Sequence, residues 1–370
     1  MTANIESKQS GQRLACVDAL RGFDMLWIIG GGEIVRSVAK AKPDNRFLGW
    51  LSENFDHQWG QFGFYDLIMP LFLFIVGVVM PLAFTKRLEK GESKKEIYKH
   101  VIKRVIKLYI FGLIASGHLL TFDITRIHLW TDTLHAIAAG YLVSSILILE
   151  LRLKWQIIVT VGLLLLYWII MTLVPIPGVG AGIFEQKTNL ALYIDDKVLG
   201  HFQEGEGWTY ILTNITFVCS VMLGTFAGRI LLGTQTEKKK IYQLLLLGIL
   251  CMMVGKLWGF VFPIIHHIWT SSLVLFAGGL SCLLLVAFYI IIDVLGYKKW
   301  ILPFTVIGMN AIAVYVATHL FDFKLLGNVL VGGLTKWVGP WDDALKASAS
   351  LAVVWLILYW MYQKKTFVKI

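Results

Sequence analysis

Residues 54–77 read NFDHQWGQFGFYDLIMPLFLFIVG. The stretch opens as a polar, aromatic loop and passes at Asp66 into an apolar run that continues to Phe84. A run of this length matches the requirement of about 20 apolar residues for crossing a hydrocarbon core of about 30 Å. His57 stands just before the run and Asp66 just inside it. Water-free lipid makes both groups costly, so each needs a structural or chemical reason to be there.

The rest of the chain extends this reading. It has 370 residues, of which 57% are hydrophobic and 16% charged, whereas soluble domains are about 45–50% apolar. The fold class expected is all-α: a polytopic membrane helix bundle forming a single domain over 1–370, with 1–12 as a polar N-terminal tail and no cleavable signal. The net charge of +10 does not imply nucleic acid as a partner, because the basic residues follow loops on one side of the membrane. Cys16, Cys219, Cys251 and Cys282 lie in or beside apolar runs, with no CxxC or His/Cys spacing, so neither disulfides nor a metal site are expected.

About ten spans of suitable length follow, at 15–32, 62–85, 104–120, 133–150, 155–174, 210–232, 241–262, 270–293, 302–320 and 347–363. Asp18, Arg21 and Asp24 interrupt the first. With the N-terminus inside, every short inner loop is basic: Lys86 to Lys107, Arg152 with Lys154, Arg229 with Lys238–Lys240, Lys298 with Lys299, and the tail Lys364–Lys369. By the positive-inside rule both termini are therefore cytoplasmic. This topology puts only His100 on the inner side. His57, His118, His128, His135, His201, His266, His267 and His319 fall in outer loops or at outer helix ends. Interfacial histidines are cheap and can gather by accident; the alternative is polar chemistry in an outward-facing cavity. Three long outer loops, 33–61, 175–209 and 321–346, are available to roof it.

Several groups are candidates for chemistry. The imidazole of His57 can accept a proton near neutral pH or carry an acyl group as a nucleophile. Asp66 either sits at a positive helix N-terminus or orients that imidazole. Pro70 is expected to kink the helix and free carbonyls to line a cavity. In RLACVDALRGFDM (13–25), Asp18 and Arg21 share a helical face near the inner end. They either neutralise each other or wall a path for an anionic ligand. TKRLEKGESKKEIYKHVIKRVIKLY (85–109) is strongly basic, which serves topology and attraction to anionic lipid and can also attract a phosphorylated metabolite. It has no glycine pattern of a nucleotide-hydrolysing machine. FTVIGMNAIAVYVATHLF (304–321) buries Asn310 mid-helix, where asparagine is commonly interhelical glue, and places His319 at the outer end. No GxSxG elbow is present.

At these residues the chain resembles the transmembrane acyltransferases typified by heparan-alpha-glucosaminide N-acetyltransferase, including bacterial relatives. The resemblance runs through RLACVDALRGF, HQWGQFGFYDLIMPLFLFIVG, TLHAIAAGY, NLALYIDDKVLG, VMLGTFAGRIL, HHIWTSSLVLFAGGLSCLLL, IGMNAIAVYV and WLILYWMYQKKTFVKI. It implies a many-helix enzyme that takes acetyl from cytosolic acetyl-CoA and transfers it to the amine of a terminal glucosamine across the membrane. On the family's pattern His57 is the active histidine, and Asp66 and Pro70 match the D-x-x-x-P helix. Asp18 and Arg21 match D-x-x-R-G, and Asn310 matches G-M-N. With His319, the last three residues are the expected substrate and CoA contacts. The chain departs from the pattern at Gly30–Glu33 (GGGE), where many relatives carry Asn, and in a longer loop before His57. Both departures border the site, so the acceptor is expected to be an amino sugar of glucosamine type without being fixed further.

The expected function is thus transfer of acetyl from acetyl-CoA to an amino sugar, in a bacterial inner membrane with the site facing outward. The lipid bilayer is the surroundings, a homodimer is the expected assembly, and neither metal nor nucleic acid is a partner. The alternative is an amino-sugar or saccharide permease without acyl transfer, for which ten helices serve equally well; clear inverted repeats would favour it. A structural membrane partner without turnover is a third reading.

Overall fold

The computed structural model describes residues 14–205 and 207–368. The polar tail 1–12, Arg13 and Lys369 lie outside the described residues. Helix α1 (Ala15–Leu26) passes through a π-helical turn at Trp27–Gly31, where Gly30 takes φ 152°, into α2 (Gly32–Ala41) and then α3 (Arg46–Glu53). A single 3₁₀ turn at Tyr65–Leu67 starts α4 (Ile68–Glu89), followed by α5 (Lys94–Ala115), α6 (Thr133–Glu150) and α7 (Leu153–Leu173). A small antiparallel hairpin, β1 (Phe184–Glu185) with β2 (Thr188–Asn189), precedes α8 (Leu190–Leu199), α9 (Asn214–Leu232), α10 (Glu237–Trp258) and α11 (Ser271–Phe288). The chain ends with α12 (Leu302–Met309), α13 (Ala311–Leu320), α14 (Phe323–Val331), α15 (Thr335–Val338) and α16 (Asp342–Gln363).

Among the described residues, seven helices are long and apolar enough to cross a membrane. An eighth span results if α12 and α13, bent by 63°, count as one. These correspond to eight of the expected spans. The other two, 15–32 and 104–120, are helical over most of their length, but Asp18, Arg21 and Asp24 interrupt the first and α5 begins with the basic run from Lys94. Pro70 does not break its helix. It lies in the first turn of α4, where a missing N–H leaves no intrahelical bond undone, and the span runs on as one piece from Tyr65 to Glu89.

The apolar composition of the helices sorts them by position. Of the most apolar window of the α4 span 78% is buried within the protein, against 17% for α10. So α4 is a central element, whereas the exposed Leu246, Leu250 and Val254 of α10 present an apolar face suited to lipid. Small residues let α4 and α9 approach closely. A Cβ on Gly77 would lie 1.9 Å from the Val221 carbonyl oxygen, and one on Gly224 would lie 1.9 Å from that of Phe74. The Thr225 hydroxyl bonds across this crossing to the Gly77 carbonyl at 3.3 Å. Backbone proximity and interhelical hydrogen bonds do here what hydrophobic burial does in water. The α1–α12 crossing is built alike: a Cβ on Gly22 would lie 1.7 Å from the Phe304 carbonyl oxygen.

The two ends of the bundle differ. One end carries the basic loops, fastened by pairs such as Lys94–Glu150 and Arg87–Glu92, both at 2.8 Å. Because α4 runs from Asp66 towards Lys86, the loop containing His57 lies at the opposite end.

Candidate active site

The loop that carries His57 is closed at its base, where the Tyr65 amide donates to the Asn54 carbonyl at 2.9 Å. Phe55, buried, anchors it against Trp27 and Phe64, each with ring centroids 5.1 Å away. The Trp59 indole N–H reaches the Phe184 carbonyl at 3.0 Å and joins this loop to the β hairpin. The long segments 33–61 and 175–209 thus meet over this end of the bundle. The third long loop, 321–346, packs through α14 against α16 and contributes no residue to the cavity described below.

Asp66 is 1% exposed and fully engaged. Its Oδ2 accepts the Gly63 amide at 2.9 Å, and its Oδ1 lies 2.6 Å from His57 Nδ1. A carboxylate only accepts, so Nδ1 carries the hydrogen of this bond and the neutral ring keeps Nε2 as its proton acceptor. His266 stacks on His57, ring centroids 5.1 Å apart and planes 17° from parallel. Its Nδ1 approaches the same Asp66 oxygen at 3.3 Å, but the alignment does not make a hydrogen bond, and Nε2 also has no partner. The turn bearing His266 and His267 is fixed by neighbours: Trp269 donates to Ser220 Oγ at 3.0 Å, and the Ser272 hydroxyl donates to the Phe262 carbonyl at 2.6 Å. Trp208 packs edge-on to both His57 and His266 and lies against His267 at 4.4 Å.

Burial holds the His266 imidazole below its ordinary titration range despite Asp66 nearby. Burial, and then the neighbouring imidazoles of His266 and His57, pushes His267 down to about 4. Both are therefore neutral rings near pH 7. His57, Asp66 and His266 offer three ligand atoms within 4.8 Å of one another, the only such grouping among the described residues. A divalent ion bound by His57 and Asp66 at about 2.0–2.2 Å would hold their ligand atoms roughly 3 Å or more apart. The contact of 2.6 Å is that of a charge-assisted hydrogen bond.

His57 and His266 line a cavity of about 320 Å³. The same cavity is lined by a second polar group around Asp132, the N-cap of α6. Asp132 Oδ1 accepts the Leu134 amide at 2.6 Å, and Oδ2 accepts the Ser116 hydroxyl at 2.5 Å and the Tyr315 hydroxyl at 3.0 Å. Tyr210 donates to the Thr131 carbonyl at 2.6 Å, and the backbone beside it is held by Asp195, which accepts the amides of Tyr210 and Ile211. Glu204 and Trp208 complete the rim.

The structure therefore brings His57 and Asp66 into direct contact and sets His319 in the wall of the same cavity, its Nδ1 bonded to the Tyr315 carbonyl at 2.8 Å. Asp18, Arg21 and Asn310 do not line this cavity. Arg21 pairs with Asp18 at 3.6 Å in α1. Asn310 lies at the break between α12 and α13, accepting the Val368 amide at 3.0 Å. A Cβ on Gly308 would lie 2.2 Å from the Asp18 carbonyl oxygen, so these residues gather at the α1–α12 crossing. Reasoning from sequence did not single out His266, Trp208, Asp132 or Glu204. The paired histidines of HHIWT, expected from the charge pattern to be at an outer helix end, were the available signal for the first. Asp132, directly before an apolar run, reads as an ordinary helix cap.

The family model described as heparan-alpha-glucosaminide N-acetyltransferase, catalytic, matches residues 13–257. The chain belongs to this family. Two curated relatives bear the name heparan-alpha-glucosaminide N-acetyltransferase. The Mus musculus protein is 24% identical over 98% of this chain and 61% of its own length. The Homo sapiens protein is 26% identical over 97% of this chain and 60% of its own length. This chain thus spans about three-fifths of the relatives it matches. His57, Asp66 and Asp132 lie within the stretch matched by the family model, whereas His266, Asn310 and His319 lie beyond it.

Proposed function

We propose that this protein is a transmembrane acyltransferase that moves an acetyl group from cytosolic acetyl-CoA to the amine of a glucosamine-type sugar at the outer face. The observation that carries this reading is the 2.6 Å contact between His57 Nδ1 and Asp66, on the wall of a cavity, in a chain of this family. His57 and Asp66 are the catalytic pair in this proposal. Asp18, Arg21 and Asn310 serve the donor's path from the basic end, and His319 contacts substrate. The chain acts as one transmembrane unit over 1–370, as a homodimer in a bacterial inner membrane with both termini inside.

The chemistry follows from the tautomer. A sugar amine reaches the site as an ammonium and must lose one proton, through the cavity to water, before it can attack. The neutral amine adds to the thioester carbonyl, forming the C–N bond. His57 Nε2 takes the second amine proton as that bond forms, and Asp66 stabilises the resulting imidazolium. The C–S bond then breaks, and His57 returns its proton to the departing thiolate. In the two-step alternative Nε2 itself takes the acetyl group, releases CoA and then passes acetyl to the amine. Both routes give acetamide, free CoA thiol and one proton.

The test incubates purified protein with labelled acetyl-CoA and a panel of amino sugars. CoA release that depends on an amino sugar, with label in the acetamide product, is expected. No release with any acceptor, alongside saturable sugar flux in liposomes, would overturn this proposal in favour of a permease. Rapid quench with donor alone separates the two routes, because only the two-step route leaves label on His57.

A further inference from the structure

The cavity beside His57 is lined by carboxylates in a chain of opposite net charge. The chain has a net charge of +10, yet no Lys or Arg is among the residues lining this cavity, which include the carboxylates of Asp132 and Glu204. Asp132 is 2% exposed. All three of its hydrogen-bond donors, the Leu134 amide and the Ser116 and Tyr315 hydroxyls, are neutral. A carboxylate has about four acceptor positions, so one remains. We propose that Asp132, assisted by Glu204 at the rim, is the subsite that receives the acceptor's ammonium and delivers it to His57 across the cavity. This rests on the acyltransferase reading for the delivery step, and on the cavity alone for the binding of a cation.

A plainer role for Asp132 is to cap α6, and its Oδ1 does so through the Leu134 amide. Capping does not account for the other oxygen, on which a hydroxyl from α13 and one from the end of α5 converge. That arrangement holds a charged carboxylate in position without neutralising it, as expected where the counter-charge arrives with a ligand. A second, independent observation points the same way. His266 is 3% exposed and lines the same cavity, but its Nε2 has no hydrogen-bond partner. A buried polar atom left open in this way calls for a partner, and a sugar hydroxyl supplies one. The volume of about 320 Å³ is at the small end for ligand sites, which suits one sugar ring and not an oligosaccharide.

The experiment measures binding of glucosamine and of glucose, by calorimetry, to the purified full chain at mildly acidic pH, where the amine is an ammonium. Wild type is expected to prefer glucosamine. Asp132→Asn and Asp132→Ser both keep a good helix cap but remove the charge. Each is expected to weaken glucosamine binding by about tenfold or more and glucose binding by much less. Asp132→Ser also leaves the Ser116 and Tyr315 hydroxyls without their acceptor, so its melting midpoint should fall, whereas the near-isosteric Asp132→Asn should melt closer to wild type. Glu204→Gln should have a smaller effect in the same direction. Equal binding of glucosamine by wild type and both folded variants would overturn the proposal. So would equal loss of both sugars, or a wild type that does not distinguish them. Preference for glucosamine that depends on Asp132, without acetyl transfer from any donor, would refute the acyltransferase reading and leave the cation subsite standing.

Discussion

The basic end of this bundle and the cavity beside His57 treat charge in opposite ways. At the basic end, carboxylates meet cations in partly exposed pairs: Glu150 with Lys94, Glu92 with Arg87, Asp18 with Arg21. In the cavity, Asp66 and Asp132 are buried and held by imidazole, hydroxyl and amide donors, although exposed pairs such as Lys40–Asp343 occur elsewhere at the same end of the bundle. Exposed pairs contribute little and serve mainly topology and solvation. Carboxylates buried among neutral donors are costly to keep, and that cost points to chemistry. The net positive charge of the chain therefore says little about its ligand: the cavity proposed as the active site is lined by carboxylates and by no Lys or Arg.

The largest effect is expected when the buried pair of His57 and Asp66 is disabled. His57→Ala removes the proton acceptor and should lower acetyl transfer by at least roughly 10²-fold, while acetyl-CoA still binds in an equilibrium assay. Near-normal turnover would refute the site assignment. Asp66→Asn is subtler. The amide can donate to Nδ1, which moves the ring hydrogen to Nε2 and blocks proton uptake there. A loss between about 10-fold and 100-fold is expected, and an unchanged rate would confine Asp66 to a structural role at the start of α4.

How far the sequence revealed this depends on the range of the interactions. Eight of the ten expected spans were legible because each satisfies its length and hydropathy condition alone, the bent α12–α13 pair counted as one; 133–150 matches α6 to the residue. Bends were less so. Pro70 read as a kink but falls in a first turn, and Asn310 read as mid-helix but lies at a break, because a helix start or break depends on the neighbours that satisfy the backbone. His57 with Asp66 was legible, since a short loop joins them. His266 and Asp132 were not, because each reaches the cavity through tertiary packing: His266 stacks on a ring 209 positions away, and Tyr315 finds Asp132 across 183. No local pattern encodes such a meeting.

The basic end should yield a smaller and different effect. Arg21→Ala breaks the pair with Asp18 and removes a cation from the α1–α12 crossing. If the donor's phosphates enter there, its affinity should fall by about tenfold, which is the size of one charged hydrogen bond. Turnover at saturating donor should change by no more than about twofold. A loss of turnover without loss of affinity would place Arg21 in the chemistry instead and remove the division of labour between the basic end and the cavity.

The smallest effect concerns pH and stability at the histidine cluster. His267 packs between Trp59 and Trp208, and burial lowers its pKa from 6.5 to about 4. Between these values the unfolded chain binds the proton and the folded one does not. The contribution of His267 to stability is therefore complete above pH 6.5 and is lost as pH falls towards about 4. Asp195 acts with the opposite sign: burial raises its pKa from 3.8 to about 6, so in that interval the folded state takes the extra proton and gains stability on acidification. A melting curve of wild type alone would mix the two. Comparison with His267→Phe separates them, because the ring contacts remain, His267 Nδ1 has no partner to lose, and Asp195 is untouched. Acidification from pH 6.5 to 4 should cost wild type on the order of 1 kcal/mol more than the variant, seen as a widening gap in melting midpoints in detergent. Parallel midpoints across that interval would mean that His267 titrates as an ordinary surface histidine, and that water enters the cluster far more freely than its packing between two tryptophans implies.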